Sequence, residues 1–205
     1  MNCRRAMFSD LLEMQNCNLK NLAENYSYRY YLFHYLASPE MLEVAEVPGK
    51  QKICGYVMSQ MEEKGNAKDI PHGHITSVSV LRTYRKLGLA TTLMKMAERS
   101  MGEIYNSDHV ILNVRESNMA AKHLYQKTLG FIVDERGIEY YNDGENSYTM
   151  KASTKREIWN HTSKAIQSKI DEEKQKKDQE ANSSENNKTQ KEGQSRSTGK
   201  GKKKR

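Results

Sequence analysis

The feature that most constrains the fold of this chain is the run of residues 77–94, which reads SVSVLRTYRKLGLATTLM. Its β-branched start predicts a strand, and Leu89, Leu93 and Met94 then recur at helical spacing. Basic residues and Gly88 lie between the two, so a glycine turn opens directly into an amphipathic helix. A strand joined in this way to a helix is typical of an α/β domain.

The same turn predicts an anion-binding site. The first N–H groups of a helix have no partner within the helix, and together with the helix dipole they attract negative charge. Gly88 and Ala90 leave room for a phosphate to approach the backbone, while Arg85 and Lys86 add positive charge. The turn lacks the Gly-Lys-Ser/Thr of a P-loop and the three glycines of the dinucleotide fingerprint. It suits a pyrophosphate, and the alternative is an ordinary loop with solvated basic residues.

The remaining elements predict a mixed α/β sheet flanked by helices. Helices are expected from Leu11 onward, over Gly88–Gly102 and over Ser117–Thr128, the last capped by Ser117 or Asn118. Residues 26–35 hold five of the twelve tyrosines, which predicts either a segment packed on the core or hydroxyls that line a groove. The predicted strands are Asn2–Ala6, Glu43–Val47, Lys52–Met61, His74–Leu81, Val110–Val114, Phe131–Val133 and Ser147–Met150.

The charge of the chain divides it into a domain and a tail. Residues 1–152 carry 18 Lys or Arg and 18 Asp or Glu, whereas residues 153–205 carry 15 and 8, so the net charge of +7 belongs to the last segment. Ile158, Ile166 and Ile170 predict an amphipathic helical extension over residues 153–177, which packs on the domain or on a partner helix. Residues 178–205 are polar and basic and are predicted to be disordered.

Composition excludes several classes of protein. No stretch approaches the roughly 18 apolar residues of a membrane span, and Met1–Arg5 has no apolar signal core. We therefore expect a soluble intracellular protein with no membrane partner. The three cysteines are odd in number and widely spaced, which argues against a disulfide framework or a zinc site. His72 and His74 share one face of a strand, but no third ligand is suggested, so no metal is predicted.

Two signatures in the chain resemble those of the GNAT superfamily of acetyl-CoA-dependent N-acetyltransferases. Residues 85–90, RKLGLA, match the pyrophosphate motif of the family, Arg/Gln-x-x-Gly-x-Gly/Ala. Asn118, Ala121 and Tyr125, followed by the triplet Leu129–Phe131, match its second signature. Over about residues 1–152 the chain resembles more particularly the catalytic subunits of NatA N-terminal acetyltransferases. The segments that carry this closer resemblance are Met14–Leu19, Leu22–Tyr26, Pro71–Ser77, Val114–Asn118 and Tyr140–Glu145.

The resemblance implies acetyl-CoA as the co-substrate, with no metal. The strand of Val78, Ser79 and Val80 would separate from its neighbour and pair its backbone with the pantetheine arm. Tyr125 would lie near the thioester sulfur and protonate the leaving thiolate. The other residues expected to bind the cofactor are Arg85, Lys86, Leu87, Gly88, Leu89, Ala90, Thr91 and Asn118.

The resemblance also implies a peptide groove. Glu24 would face the substrate amine as a catalytic carboxylate, with Arg115 beside it. A peptide α-amino group has a pKa near 7.7–8.0, so a positioned base or a short water chain suffices to deprotonate it. Read without the resemblance, Glu24 is a surface carboxylate and Arg115 a member of an ion pair. The residues expected to line the groove are Leu22, Glu24, Tyr26, Arg115, Tyr140 and Tyr141.

Two positions depart from the pattern of the resembled family. Ala23 stands where these subunits commonly have proline, so the loop that carries Glu24 is expected to be less rigid. Asn113 stands where they commonly have histidine, and asparagine cannot act as a base near neutral pH. Glu24, acting through water, is therefore the candidate base.

The leading hypothesis is an N-terminal acetyltransferase of nascent chains. It would modify Ser, Ala, Thr or Gly after removal of Met, and acidic N-termini when free of its auxiliary subunit. The alternatives are a lysine acetyltransferase, against which the paired Tyr140 and Tyr141 argue because they would narrow the groove, and an enzyme of NatB type, specific for Met-Asp, Met-Glu or Met-Asn.

The expected partners are a large helical-repeat auxiliary subunit, the ribosome and nascent chains. A different class of function, a ribosome- or RNA-binding module, is suggested by the basic end of the chain. That tail has no interleaved aromatics, so any contact with rRNA phosphates would be independent of sequence. We expect a cytoplasmic, ribosome-associated protein, with a nuclear fraction if Lys202–Arg205 acts as an import signal.

Overall fold

A computed structural model describes residues 1–50, 52–62 and 71–154 of the chain. The predicted amphipathic helix from residue 155 onward and the basic tail at 178–205 lie outside the described residues. The last described strand runs to Ser153, just past the end of the predicted domain at residue 152. Within the described residues, every helix is too short or too polar to cross a lipid bilayer.

A seven-stranded mixed sheet forms the centre of the domain, in the order β1-β2-β3-β4-β5-β7-β6. Neighbouring strands are antiparallel except β4 and β5, which are parallel. The predicted fold class is confirmed, and every predicted strand is present with its ends shifted by a few residues. The strands are β1 (Asn2–Arg5), β2 (Leu42–Val47), β3 (Lys52–Glu62), β4 (His72–Val80), β5 (His109–Arg115), β6 (Ile132–Gly137) and β7 (Ser147–Ser153).

Helices cover both faces of this sheet. They are α1 (Leu11–Leu19), α2 (Tyr28–Ala37), α3 (Leu89–Tyr105) and α4 (Met119–His123), and α4 continues as a π-helical turn over Leu124–Thr128. Successive residues of β3 show which helix lies on which face. A Cβ atom added to Gly55 would lie 3.5 Å from Leu93 of α3. The next residue, Tyr56, contacts Asn18 of α1 on the opposite face.

Strands β4 and β5 pair over only part of their length. Gly73–Ile75 pair with Val110–Leu112, and after that point the two strands separate. A β-bulge lies at the separation, because Met58 and Ser59 of β3 pair with Ser77 and Ile75 and leave Thr76 as an extra residue. The predicted separation of the 78–80 strand from its neighbour is therefore present, and it opens a gap in the middle of the sheet.

The tyrosine-rich segment serves both of the purposes that the sequence left open. Tyr31 of α2 is fully buried and packs edge-to-face against Tyr56, with their ring centroids 6.2 Å apart. Tyr26 and Tyr30 stack on each other at 4.5 Å and line the gap between the strands. Hydroxyl groups of this segment therefore border the groove, while the middle of α2 packs into the core.

Candidate active site

The gap between β4 and β5 is the floor of a groove of about 840 Å³. Its walls come from the loop before α2 with Tyr30 of that helix, from Gln60 of β3, from the strands β4 and β5, from α4 with its π-helical turn, and from the loop between β6 and β7. All of the residues predicted to bind substrate or to act in catalysis meet here, namely Leu22, Glu24, Tyr26, Arg115, Tyr125, Tyr140 and Tyr141. Val78 and Asn118, predicted to bind the cofactor, lie with them.

Two amide side chains of α1, the buried Asn18 and the half-buried Gln15, hold the loop that carries Glu24. Asn18 donates from Nδ2 to the Glu24 carbonyl at 3.0 Å and to the Tyr56 hydroxyl at 3.1 Å. Gln15 donates to the Tyr26 carbonyl at 3.1 Å. These bonds give the loop a fixed path although it has Ala23 in place of proline. Asn18 was not predicted as a site residue. It could have been recognised as a polar residue on the otherwise apolar face of α1.

Arg115, at the end of β5, is the centre of an ion-pair cluster in the groove. Its Nε and Nη2 donate to Glu24 Oε1 at 2.8 and 2.5 Å. Its Nη1 donates to Asp143 at 2.8 Å and to Glu145 at 2.6 Å. The guanidinium carbon also lies 4.1 Å from the centre of the Tyr141 ring. One cation meets three carboxylates, so this wall of the groove carries an excess of negative charge.

The charged state of the cluster follows from its hydrogen bonds. The pKa of Glu145 is lowered to about 2 by hydrogen bonds from Ser117 and then from Arg115. The pKa of Asp143 is lowered by the Glu145 N–H and by Arg115. Burial tends to lower the pKa of Arg115, but the bonds to Glu145, Glu24 and Asp143 outweigh it and raise that pKa. Asp143, Glu145 and Arg115 therefore remain ionised across the physiological pH range.

Three tyrosines of the groove keep their hydroxyl protons at neutral pH. Burial raises the pKa of Tyr26 to about 12 and that of Tyr125 to about 12, and it also raises the pKa of Tyr141. Tyr125 lies in the π-helical turn and is 7% exposed, with its ring near Phe131. Tyr140 is the most exposed of these tyrosines, and its hydroxyl accepts a hydrogen bond from Asn113 at 3.2 Å.

The predicted anion site lies at the start of α3. Gly88 precedes the helix with φ +76°, in the left-handed region, and Lys86 has φ +63°. Thr92 donates the first helical hydrogen bond to the Gly88 carbonyl, so the N–H groups of residues 89–91 precede the hydrogen-bonded ladder. Arg85 donates to the Val80 carbonyl and to Asn21, both at 3.0 Å, which ties the loop to β4 and α1.

The other residues predicted to hold the cofactor lie around this turn. Lys86, Leu87 and Gly88 are exposed, whereas Ala90 and Thr91 are half-buried. Leu89, Ser79 and Val80 face the core. Asn118 accepts the Ala121 N–H at 3.1 Å and caps α4, and the resulting helix presents Tyr125 to the groove. A phosphate at this turn would meet the backbone and the ends of basic side chains, as the sequence predicts.

The two histidines of β4 meet a carboxylate. Glu62, at the end of β3, lies 2.5 Å from His74 Nδ1 and 3.5 Å from His72 Nε2. The His72 ring stacks on His109 with centroids 5.0 Å apart. Within residues 1–50, 52–62 and 71–154, no group of three or more His, Cys, Asp or Glu side chains is arranged to hold a metal ion. Sequence reasoning missed Glu62, because strand register alone brings it to the histidines.

A strand that leaves its parallel neighbour at a bulge, followed by a basic turn at a helix N-terminus, defines an acetyltransferase fold. The model of the acetyltransferase (GNAT) family matches residues 8–131, and the chain belongs to this family.

Within the family, similarity is high to the catalytic subunits of N-terminal acetyltransferase A complexes. The chain is 54% identical to the subunit ard1 of Schizosaccharomyces pombe, over 73% of this chain and 84% of that protein. It is 50% identical to the subunit NAA10 of Arabidopsis thaliana, over 74% and 77%. A solved structure of Chaetomium thermophilum Naa20 in complex with a bisubstrate analogue superimposes with a TM-score of 0.68, at 28% identity, over 77% of this chain and 89% of that one.

Proposed function

We propose that the protein transfers the acetyl group of acetyl-CoA to the α-amino group of protein N-termini. The observation that carries this proposal is the order of two sites along β4. A carboxylate-rich groove at the β4–β5 gap is lined by β4 as far as Val78, and the same strand then leads to the basic turn that opens α3. A positively charged chain terminus suits the groove, and a pyrophosphate suits the turn. Relatives with this fold are named as N-terminal acetyltransferase subunits, which supports the same activity here.

Residues 85–91 would hold the pyrophosphate, and the backbone of Val78–Val80 that β5 leaves unpaired would bind the pantetheine arm. The thioester would then lie near Tyr125. When the amine attacks the thioester carbon, a C–N bond forms and the C–S bond breaks. Because burial keeps the Tyr125 hydroxyl protonated at neutral pH, it can supply a proton to the departing thiolate.

Glu24, Arg115 and the tyrosine pair Tyr140 and Tyr141 would recognise the peptide. The excess of carboxylates around Arg115 attracts an ammonium group, and the two rings, 5.0 Å apart, border the entrance. This arrangement favours a chain terminus over a lysine side chain within a folded chain. We propose Ser, Ala, Thr and Gly as preferred first residues, and acidic residues for the subunit alone.

The relatives are catalytic subunits of complexes, and we propose that this chain also binds an auxiliary subunit built of helical repeats. The first two helices and the turn before them expose large apolar side chains, a composition suited to a protein interface. Ribosome association, rRNA contacts through the tail and a cytoplasmic location with a nuclear fraction belong to the same proposal. The exposed apolar residues are Met7, Phe8, Leu12, Leu19, Phe33 and Leu36.

An acetylation assay with mass-spectrometric detection tests the activity. Peptides that begin with Ser or Ala, with Asp or Glu, and with Met-Asp would be compared with an N-terminally blocked peptide that carries an internal lysine. Modification of the blocked peptide alone would establish the lysine alternative, and a preference for Met-Asp would establish NatB-type specificity. No transfer to any free terminus, alone or with an auxiliary subunit, would refute the proposal.

Arg85→Ala tests the cofactor site. The KM for acetyl-CoA should rise while the KM for peptide changes little. The matched control is Arg99→Ala, because Arg99 is an exposed arginine on α3 that pairs with Glu103 one turn further along the same helix. Equal KM values for acetyl-CoA in the two variants would contradict the assignment of residues 85–91 to the pyrophosphate.

A further inference from the structure

The reaction needs a group that accepts the proton of the substrate amine, and Asn113 is not that group. Its Nδ2 donates to the Tyr140 hydroxyl at 3.2 Å, and its Oδ1 accepts from Thr149 at 2.8 Å. Both polar atoms of the amide are thus engaged, one with the loop between β6 and β7 and the other with β7. An amide also has no basic site near neutral pH, so the position on β5 contributes structure and no proton transfer.

The other titratable groups that line the groove are poor acceptors. Glu24 gives one oxygen to two N–H groups of Arg115, and Asp143 is bound to the same guanidinium. At the oxygens that bind Arg115, taking up the proton of the substrate amine would compete with these hydrogen bonds. Tyr26 and Tyr125, with pKa values raised to about 12, hold their protons at neutral pH.

His74 has the geometry of a base. It lines the groove on β4, and its side chain is 18% exposed. Its Nδ1 lies 2.5 Å from Glu62 Oε1, and a carboxylate can only accept, so the hydrogen of the neutral ring is on Nδ1 and the lone pair is on Nε2. In the part of the chain that the structure describes, Nε2 has no hydrogen-bond partner.

Glu62 is held as a carboxylate. Burial tends to raise its pKa, but His74, Gln60 and His72 together bring that pKa below its ordinary value. Gln60 donates to the same oxygen at 3.3 Å, and His72 approaches the other oxygen at 3.5 Å. Glu62 thus binds one nitrogen of the His74 ring and leaves the other, Nε2, open. A carboxylate that orients a histidine in this way is a common arrangement for proton transfer.

We propose that His74, oriented by Glu62, takes the proton from the substrate α-ammonium, directly or through one water. This inference rests on the proposed function. The N–H bond of the ammonium breaks and an N–H bond forms at Nε2, which leaves a neutral amine and an imidazolium. The amine attacks the thioester carbon, the thiolate leaves with the C–S electron pair, and Tyr125 supplies its proton. The nitrogen loses a second proton as the amide forms, and this proton replaces the one that Tyr125 has given up. Glu62 acts as the positioning residue.

The groups that face His74 determine its pH dependence. They are Glu62 and the cross-strand neighbour Gln60 from β3, His34 from α2, and His72 from its own strand, which approaches the same carboxylate. Tyr30 of α2 lines the same groove. On β5 it pairs with the uncharged Ile111. In the described ranges 1–50, 52–62 and 71–154, the negative charge in contact with the ring is that of Glu62. Protonation of His74 removes the acceptor, so kcat should fall on the acid side. In Glu62→Gln this fall should move to lower pH, because the imidazolium loses its carboxylate partner.

The test compares His74→Gln with His123→Gln, in which an exposed histidine of α4 is replaced. Using the full chain with acetyl-CoA and a peptide that the wild type acetylates, kcat for His74→Gln should fall about 10²–10³-fold, with the KM for acetyl-CoA unchanged. Glu62→Gln should lose about 10-fold. Added imidazole should restore part of the activity of His74→Gln and none of the activity of His123→Gln, an effect that a structural role would not produce.

Three outcomes would overturn the inference. They are a kcat for His74→Gln within threefold of wild type, an acid limb that stays in place in Glu62→Gln, and a loss in His74→Gln that added imidazole leaves unchanged while acetyl-CoA binding is intact. If His74→Gln fails to fold, the pH profile of Glu62→Gln decides alone. The activity of the wild type distinguishes failure of the proposed function from failure of this inference. An inactive wild type refutes the proposed function. An active wild type with an active His74→Gln variant refutes only the role of His74.

Discussion

The carboxyl group of Glu43 predicts how the stability of this domain depends on pH. Glu43 lies on β2 and is 1% exposed beneath α3. One of its oxygens accepts from Ser100 at 3.2 Å, and in the described part of the chain the other has no hydrogen-bond partner. Burial raises its pKa from the ordinary 4.5 to about 8, against smaller lowering effects of Ser100 and Arg5.

Whether stability rises or falls with pH depends on which state, folded or unfolded, holds the proton of Glu43. Above pH 4.5 the unfolded chain releases this proton, while the folded protein keeps it until about pH 8. Folding stability is therefore lost as pH rises through this window, at about 1.4 kcal/mol per unit. Over the whole window the loss amounts to about 4–5 kcal/mol. Below pH 4.5 and above pH 8 the contribution of Glu43 is constant.

Glu43→Gln removes the titration and keeps the shape of the protonated acid. Urea unfolding from pH 5 to pH 9 should show the variant within about 1 kcal/mol of wild type at pH 5. It should be more stable by about 3–5 kcal/mol at pH 8.5. Glu135→Gln, on the exposed part of β6, is the control and should show no such divergence. Parallel curves for Glu43→Gln and wild type would refute the reasoning.

Three further predictions concern positions that the fold constrains sterically or by hydrogen bonds. Gly88→Ala should lower stability by about 1–2 kcal/mol in chemical unfolding, because φ is +76° there and alanine is strained in that conformation. A steric clash is not the cause, since an added Cβ would meet nothing within 4 Å. Gly73→Ala should cost about 1–3 kcal/mol, because its Cβ would lie 2.0 Å from Met101 Sδ, and a shorter residue at 101 should recover part of that loss. Tyr56→Phe removes the hydroxyl between Asn18 and Ser77, so it should destabilise by about 1–2 kcal/mol and raise the KM for peptide. An unchanged KM would show that Asn18 holds the Glu24 loop without Tyr56.

The sequence predicted the positions of strands and helices well, because short runs of neighbouring residues determine the local backbone conformation. β-branched residues marked six of the seven strands, all except β1, and the glycine turn at Gly88 marked the start of α3. The π-helical turn around Tyr125 was not predicted, since a helical periodicity does not reveal one extra residue per turn. Proline followed by glycine is typical of a turn, and Gly49, after Pro48, has φ +72° between β2 and β3.

Side-chain partners were harder to predict because they depend on register between distant segments. Arg115 and Glu24 are 91 residues apart in sequence and 2.5 Å apart in the groove. The sequence left open whether Arg115 binds substrate or belongs to an ion pair, and the structure shows the ion pair. Glu62 and His74 meet only because β3 and β4 pair with a bulge between them. The resemblance to a family identified the groove residues, whereas the structure was needed to show which of them are already engaged.

The gap between β4 and β5 places two strand edges inside the sheet. Beyond Ile75 and Leu112, backbone groups of both strands face the gap and not each other. Exposed strand edges are the usual starting points for unwanted pairing between chains. Acetyl-CoA bound in the gap would shield these edges, and it binds only the folded state, so it would stabilise the protein by mass action. We therefore expect the amount of intact enzyme in a cell to rise and fall with the supply of its own acetyl donor.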